Sequence, residues 1–299
     1  FSRQGKALNR IHRVGNGPGE YKDIGSIDVN PANGELYLKE MNRQQIHVYS
    51  LDGKFKHSFT FPEGKRMSRM CLFSPDYLIA EQESKVPDDQ DANFYPYLLV
   101  STRDGHLDSL DYVQKRNILV KLIVNAENHS YAYLLEPSLI RNGSRFYIGN
   151  PDSDTLFAMN PDRTLEPLLV RTPSHSEEGN KYGLFLRGAA GAYFFLTKQP
   201  MEVPMNSIES LDLKSEEWLY DCRTQEVCRY LLKNKDDASK RVEGIMFFCY
   251  PEDCGLAVLK SEDLMDAYEA GQLSGELKEI AAGLKADDNP VLMLIHFKK

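Results

Sequence analysis

Residues 49–61 read YSLDGKFKHSFTF, a tight-turn signal followed by a strand pattern. Asp52 and Gly53 mark the turn. From Lys54 onward polar side chains alternate with Phe55, His57 and further aromatic residues. Such a period of two predicts a strand with one face buried and the other in solvent. This stretch therefore predicts the outer edge of an antiparallel sheet.

The same turn signal recurs along the chain. It appears as FSRQGK at residues 1–6, as STRDGH at 101–106 and as MNPDR at 159–163. The turn positions 5, 53, 105 and 163 lie 48, 52 and 58 residues apart. This spacing is too long for one hairpin but suits a four-stranded propeller blade of about 40–50 residues. Counting an incomplete first blade at the N-terminus, the sequence predicts an all-β, six-bladed β-propeller.

The repeat ends near residue 260. Ser261 is an expected N-cap, and apolar spacing predicts a short helical segment over about 261–284. A closing strand is predicted over 291–297, where the near-continuous apolar run VLMLIHF indicates burial on both faces. We expect this strand to join strands near the N-terminus, because a ring of blades must close. Residues 1–299 are thus expected to form a single domain.

Composition and charge argue against a nucleic-acid partner and against a transmembrane span. The net charge of -8 and the absence of a Lys/Arg cluster argue against nucleic acid. No run of 18 apolar residues is present, so no transmembrane span is predicted. The chain opens at Phe1, inside a repeat unit, which suggests processing or truncation upstream; a secretion signal would then lie outside this sequence.

Four of the five cysteines form two close pairs that could clamp hairpins. Cys222 and Cys228 flank a short turn, and Cys249 and Cys254 flank a turn at Pro251. Two disulfides would indicate an oxidising compartment, but buried reduced thiols fit the same pattern about equally well. Zinc is less favoured, because the C-x5-C and C-x4-C spacings are poor and no His is near either pair in sequence.

Two segments resemble a known family. GNGPGEY at 15–21 and DDNPVL at 287–292 are similar to motifs of six-bladed β-propeller proteins common in the envelopes of gut anaerobic bacteria, many of them lipoproteins. The resemblance implies an NHL- or TolB-like propeller outside the cytoplasm, in the periplasm or anchored at the outer membrane. It implies no general activity.

Candidate ligand-binding residues fall in three places. In the GPGEY segment, Gly17 and Gly19 would let backbone N–H groups approach a ligand, and Glu20 and Tyr21 add polar groups, although a structural turn is the favoured reading. The other candidates are aromatic residues in an inserted polar loop and acidic residues before the closing strand. These are Phe94, Tyr95, Asp287 and Asp288.

No catalytic motif stands out. The seven histidines show no H-x-H or H-E-x-x-H pair, and no G-x-S-x-G elbow occurs. We therefore expect a non-catalytic, extracytoplasmic binding or scaffold propeller without a cofactor, whose partner is a glycan, a peptide or an envelope protein. The alternative is a metal-dependent lyase, lactonase or hydrolase with calcium or another divalent metal in a central channel. Convergence of His, Asp, Glu or Asn side chains from different blades would favour the enzyme.

Overall fold

The computed structural model shows an all-β propeller that carries five blades among the residues it describes. The described residues are 8–62, 65–82, 96–110, 119–125, 130–135, 139–151, 153–179, 181–204, 215–237, 242, 244–247 and 253–298, with backbone alone in 119–125, 130–135 and 204. The chain divides into two compact units, Phe1–Asn117 and Ile118–Lys299. Within the described residues neither helix has the length and apolarity needed to cross a bilayer.

The first unit contains two four-stranded antiparallel blades, each with its strands in chain order. The first blade is β1 (Ser26–Asn30), β2 (Glu35–Lys39), β3 (Gln45–Ser50) and β4 (Phe55–Thr60). The second blade is β5 (Met67–Ser74), β6 (Tyr77–Gln82), β7 (Tyr97–Ser101) and β8 (Leu107–Ser109). In β4, half-buried and exposed side chains alternate, as the sequence predicts.

The two blades of the first unit share one apolar core. It includes Tyr37, Ile46 and Val48 from the first blade and Leu78 and Val100 from the second, all inaccessible to solvent. Each apolar face therefore buries the other, because neither sheet alone could shield its own.

The second unit contains three further blades. The third blade is β11 (Leu139–Asn142), β12 (Arg145–Ile148), β13 (Thr155–Met159) and β14 (Leu165–Val170). The fourth blade is β15 (Tyr182–Ala190), β16 (Tyr193–Pro200), β18 (Glu216–Asp221) and β19 (Glu226–Arg229). The fifth blade is β20 (Met246–Phe247), β21 (Cys254–Leu259) and β22 (Val291–His296). A predicted strand over 207–213 lies outside the described residues.

The prediction of six blades is wrong. It counted a partial blade before β1, but residues 8–25 carry a single isolated bridge, from Val14 to Tyr21. A sixth sheet does exist, formed by β9 (Leu119–Asn125), β10 (Ser130–Leu135) and β17 (Glu202–Pro204). It is not a blade, because β17 joins the β9–β10 hairpin in parallel whereas a blade is an antiparallel meander.

Three of the four predicted turns, at Gly53, Gly105 and Arg163, are confirmed as a backbone repeat, and the fourth, at residues 1–6, lies outside the described residues. The turns between the third and fourth strands place Gly53, Gly105, Arg163 and Gln225 at φ of 87°, 75°, 74° and 58°. The left-handed conformation tolerates glycine best. Two blades use glycine there, and the other two place Arg163 or Gln225 in the same conformation.

The C-terminal segment follows the prediction in part. Helices α1 (Ser261–Glu269) and α2 (Gly275–Ala281) pack Leu264, Leu277 and neighbours against residues that include Leu259 and Val291, at the end of the fifth blade. Ser261 is not the N-cap: it is the first helical residue, and its buried hydroxyl donates to the carbonyls of Asp288 and Asn289.

The closing strand differs from its prediction. Strand β22 pairs with β21, and its side chains alternate in burial, with Leu292 and Leu294 more than half exposed. Burial on both faces is therefore wrong. The continuous apolar run suggested a strand buried on both faces, but Leu292 and Leu294 lie on its solvent face. Pairing with strands near the N-terminus stays a prediction.

A buried histidine in β3 makes stability depend on pH. The His47 side chain is 2% exposed, and its Nε2 lies 3.7 Å from an oxygen of the fully buried Glu40 carboxylate. Burial lowers the pKa of His47, and the nearby Glu40 charge opposes that shift incompletely. The unfolded chain therefore binds this proton more readily than the folded one.

We expect the free energy of unfolding to fall as the pH drops below about 6.5, with His47 contributing at most about 1.4 kcal/mol per pH unit. Chemical denaturation between about pH 5 and 7 measures the slope. His47→Gln should flatten it, whereas His106→Gln, which changes an exposed ring, should not. An unchanged slope in His47→Gln would refute this assignment.

Candidate functional site

A cleft of about 370 Å³ lies in the second unit, between the fourth blade and the segment that leads into the fifth. Its size is within the range of small-molecule sites. Four polar side chains and a set of mostly apolar residues line it. They are Arg187, Thr197, Glu217 and Tyr230, with Leu231, Leu232, Val242, Gly244, Ile245 and Phe247.

Strand alternation explains how the polar residues reach the cleft. Successive side chains of β16 point to opposite faces. Phe194 and Leu196 pack in the core shared with the third blade, so Phe195 and Thr197 lie on the opposite face, and Thr197 lines the cleft. Thr197 pairs with Glu217 of β18 in register, which brings the two polar side chains together.

The Glu217 carboxylate is the centre of the polar group. Its Oε2 accepts hydrogen bonds from the Thr197 hydroxyl at 3.1 Å and from the Tyr230 hydroxyl at 3.4 Å. Arg187 of β15 also lines the cleft and donates to the Gln199 side-chain oxygen at 2.9 Å. A carboxylate and a guanidinium thus line one small space and offer both acceptors and donors.

Aromatic rings form the wall beside these groups. The Phe195 ring lies 4.4 Å from Phe247, 5.0 Å from Phe297 and 5.3 Å from Tyr230, measured between centroids. Of these rings, Phe247 and Tyr230 line the cleft, and Phe195 packs behind them. Leu231, another lining residue, is 55% exposed. The cleft therefore combines charged groups with an apolar surface, as ligand sites commonly do.

The GPGEY segment makes internal contacts. The Gly17 N–H donates to Glu20 Oε2 at 2.8 Å, and the Tyr49 hydroxyl donates to the Gly19 carbonyl. Gly19 has φ of 69°, and a Cβ there would lie 2.3 Å from the Phe55 ring. Tyr21 is 6% exposed. These contacts account for the glycines as parts of a packed turn; a ligand role for Gly17, Gly19, Glu20 and Tyr21 stays a prediction.

The other predicted ligand residues that the structure describes, Asp287 and Asp288, are not among the residues that line the cleft. Phe94 and Tyr95 lie outside the described residues. Asp287 and Asp288 are exposed, and the Asp288 carboxylate accepts the Lys285 N–H at 2.8 Å, as in an ordinary acidic turn. Their role as ligand contacts stays a prediction.

The cysteine pairs do not behave as predicted where they are described. Cys222 and Cys228 are free thiols. The register of β18 and β19 places Cys228 opposite Leu219, three residues before Cys222, so the clamp across this hairpin is wrong. The second pair cannot be compared, because Cys249 lies outside the described residues.

Cys254 instead meets a histidine that is distant in sequence. Its Sγ lies 3.0 Å from His296 Nδ1 and 3.7 Å from Asp253 Oδ1. Among the described residues, these three side chains form a group that could hold a metal ion. All three residues belong to the fifth blade. A channel enzyme would instead be favoured by side chains that converge from different blades, and this group is not such a convergence.

Sequence reasoning missed the cleft residues, although a signal was available. Arg187 interrupts the apolar run at 184–190, and Thr197 ends another at 192–196. A single polar residue within a predicted buried strand indicates a polar site. The sequence of each strand does not show that Arg187 and Thr197 lie beside Glu217 and Tyr230, because that depends on how the strands pair.

The fold is a β-propeller, and its second unit carries a cleft lined by polar, aliphatic and aromatic residues. The chain belongs to the DUF4934 family, a domain of unknown function whose profile matches residues 1–296. Assignment to the NHL or TolB class stays a prediction, as does a lipid anchor.

Solved structures from Bacteroides are similar in fold. A candidate exported protein of Bacteroides fragilis matches with a TM-score of 0.69 at 15% identity, over 100% of this chain and 84% of that one. A DUF4221 family member from Bacteroides vulgatus matches with a TM-score of 0.50 at 10% identity, over 96% and 83%. At such identities the likeness concerns the fold alone. A comparison with curated proteins finds no match.

Proposed function

We propose that this protein is a non-catalytic glycan-binding propeller that holds its ligand in the cleft beside Glu217. The observation that carries the proposal is the pairing of the Glu217 carboxylate with the Thr197 and Tyr230 hydroxyls, beside Arg187 and the Phe247 ring. Sugars present many hydroxyl groups and an apolar C–H face, so they match such a surface.

The charges favour hydrogen-bond recognition. A carboxylate can accept two neighbouring sugar hydroxyls, and a guanidinium can donate to ring, hydroxyl or carboxylate oxygens. The exposed Leu231 and the aromatic rings would cover the apolar face of a sugar ring. A cleft of about 370 Å³ limits the part that is held to a short stretch of a glycan.

An extracytoplasmic location is part of the proposal. It is supported by the fold similarity to a candidate exported protein and by the resemblance of the GPGEY and DDNPVL segments to envelope propellers. Glycans are abundant outside the cytoplasm, so the location and the ligand class agree.

Glu217→Gln should weaken binding of an oligosaccharide about ten- to a hundredfold, because hydrogen bonds to a charged group contribute about 1.5–3 kcal/mol. Titration calorimetry against panels of neutral oligosaccharides, uronate-containing oligosaccharides and short peptides measures this. Arg187→Gln reports which panel members need the guanidinium.

Glu216→Gln is the matched control. Glu216 is the preceding residue of β18, it points to the opposite face, and its carboxylate pairs with Arg229 at 2.8 Å. The Glu216→Gln variant should bind the oligosaccharide with the affinity of the wild type. Binding of peptides alone, or equal losses in the two variants, would contradict the proposal.

A further inference from the structure

The fifth blade brings a thiol, an imidazole and a carboxylate to one point. Cys254 begins β21 and His296 ends β22, and the antiparallel register sets the two residues directly opposite each other. Asp253 precedes Cys254, and one ligand atom from each of the three side chains lies within 4.8 Å of the others. Forty-two residues separate Cys254 from His296, so the strand pairing alone creates the group.

The atomic separations suit a tetrahedral zinc ion. Zinc binds sulfur at about 2.3 Å and nitrogen or oxygen at about 2.0–2.2 Å, which puts neighbouring ligand atoms about 3.5 Å apart. The Asp253 oxygen is 3.7 Å from the Cys254 sulfur, close to this value. The His296 nitrogen is 3.0 Å from it, and a small rotation of this exposed ring widens that distance.

The backbone holds the three residues in place without a metal. The Phe297 N–H donates to the Asp253 carbonyl at 2.8 Å and extends the pairing of β21 and β22 past its last residue pair. Cys254 is fully buried, whereas His296 is exposed, so the group has a rigid base and one open side. An ion can enter from that side and keep a water in its fourth position.

A cysteine nucleophile explains the group less well. Cys254 is fully buried, whereas a nucleophilic cysteine is partly exposed to the substrate that it attacks. A divalent cation among the three groups would compensate both the sulfur and the carboxylate charge.

We propose that Asp253, Cys254 and His296 bind a zinc ion that fastens the last strand to β21. Sulfur, imidazole and carboxylate are all zinc ligands, and three protein ligands with one open position form a known type of zinc site. The proposal does not depend on the glycan cleft.

Cobalt(II) titration of the tag-free, reduced full chain tests the site, because cobalt replaces zinc and gives a thiolate-to-metal charge-transfer band and tetrahedral d–d bands. We expect one equivalent of cobalt to produce both, and zinc to displace it. Cys254→Ser should remove the charge-transfer band, and His296→Gln should lower the affinity at least about tenfold. His296 is exposed, so this second variant is expected to fold even if Cys254→Ser does not.

Cys222→Ser is the matched control. Asp221 and Cys222 repeat the Asp-Cys dipeptide in the same unit, but the described metal-ligand group does not include them. The cobalt spectrum should survive this substitution and should also survive Glu217→Gln. Absence of a thiolate band in the wild type, or a band that persists in both Cys254→Ser and His296→Gln, would overturn the proposal.

Discussion

Phe195→Ala is expected to lower the free energy of unfolding by about 3–5 kcal/mol, the range for removing a fully buried aromatic side chain. Phe195 is 1% exposed, and its ring contacts Tyr230, Phe247 and Phe297. It therefore joins the fourth blade to β20 of the fifth blade and to the residue that follows β22. The loss has two parts, the apolar surface returned to water and the cavity left between three rings.

Urea denaturation of wild type and variant measures this difference. Phe195→Leu is the control, since it keeps an apolar side chain of similar size and should cost less than about 1.5 kcal/mol. If Phe195→Ala stayed within about 1 kcal/mol of wild type, the aromatic cluster would not hold these blades together.

Gly188→Ala is expected to cost about 1–3 kcal/mol through overpacking. A Cβ at this position would lie 1.9 Å from Phe247 Cδ2 and 2.3 Å from Cγ, distances that no real Cβ can adopt. Gly188 sits at an irregularity in the pairing of β15 and β16. The Phe247 ring would have to leave its place in the cleft wall, so ligand binding should weaken together with stability.

Gly188→Ala in a Phe247→Ala background tests whether the clash with the Phe247 ring causes the loss of stability. With the ring removed, Gly188→Ala should cost well under 1 kcal/mol, a coupling between neighbours that a double-mutant cycle measures. Gly191→Ala supplies a contrast, because its strain comes from φ of 59° and its nearest neighbour is 3.9 Å away. Equal costs of Gly188→Ala in both backgrounds would show that the clash with Phe247 is not the reason for the glycine.

The fold could be predicted where a local pattern repeats. The turns at Gly53, Gly105 and Arg163 lie within a few residues of the strands they connect, so spacing alone reveals the blade unit. The blade count could not be read in this way. Residues 1–6 show the turn signal, but no blade is formed by described strands before β1. Strand β17 pairs with β9 in parallel, and the hydrophobic periodicity of the two strands does not indicate this pairing.

The candidate sites depend on pairing between distant segments. Thr197 and Glu217 meet because β16 and β18 are neighbours, although residues 205–214 intervene in sequence. Cys254 meets His296 for the same reason, after two helices. Sequence spacing made zinc less favoured because no histidine is near the cysteines in sequence, whereas the antiparallel register places His296 opposite Cys254.

The crystal structure of the protein with the oligosaccharide that it binds most tightly would test the central claim most directly. We predict ligand density in the cleft of the second unit, with sugar hydroxyls within hydrogen-bond distance of the Glu217 carboxylate and a sugar face against Phe247 or Tyr230. Density at the GPGEY turn with an empty cleft would contradict the claim.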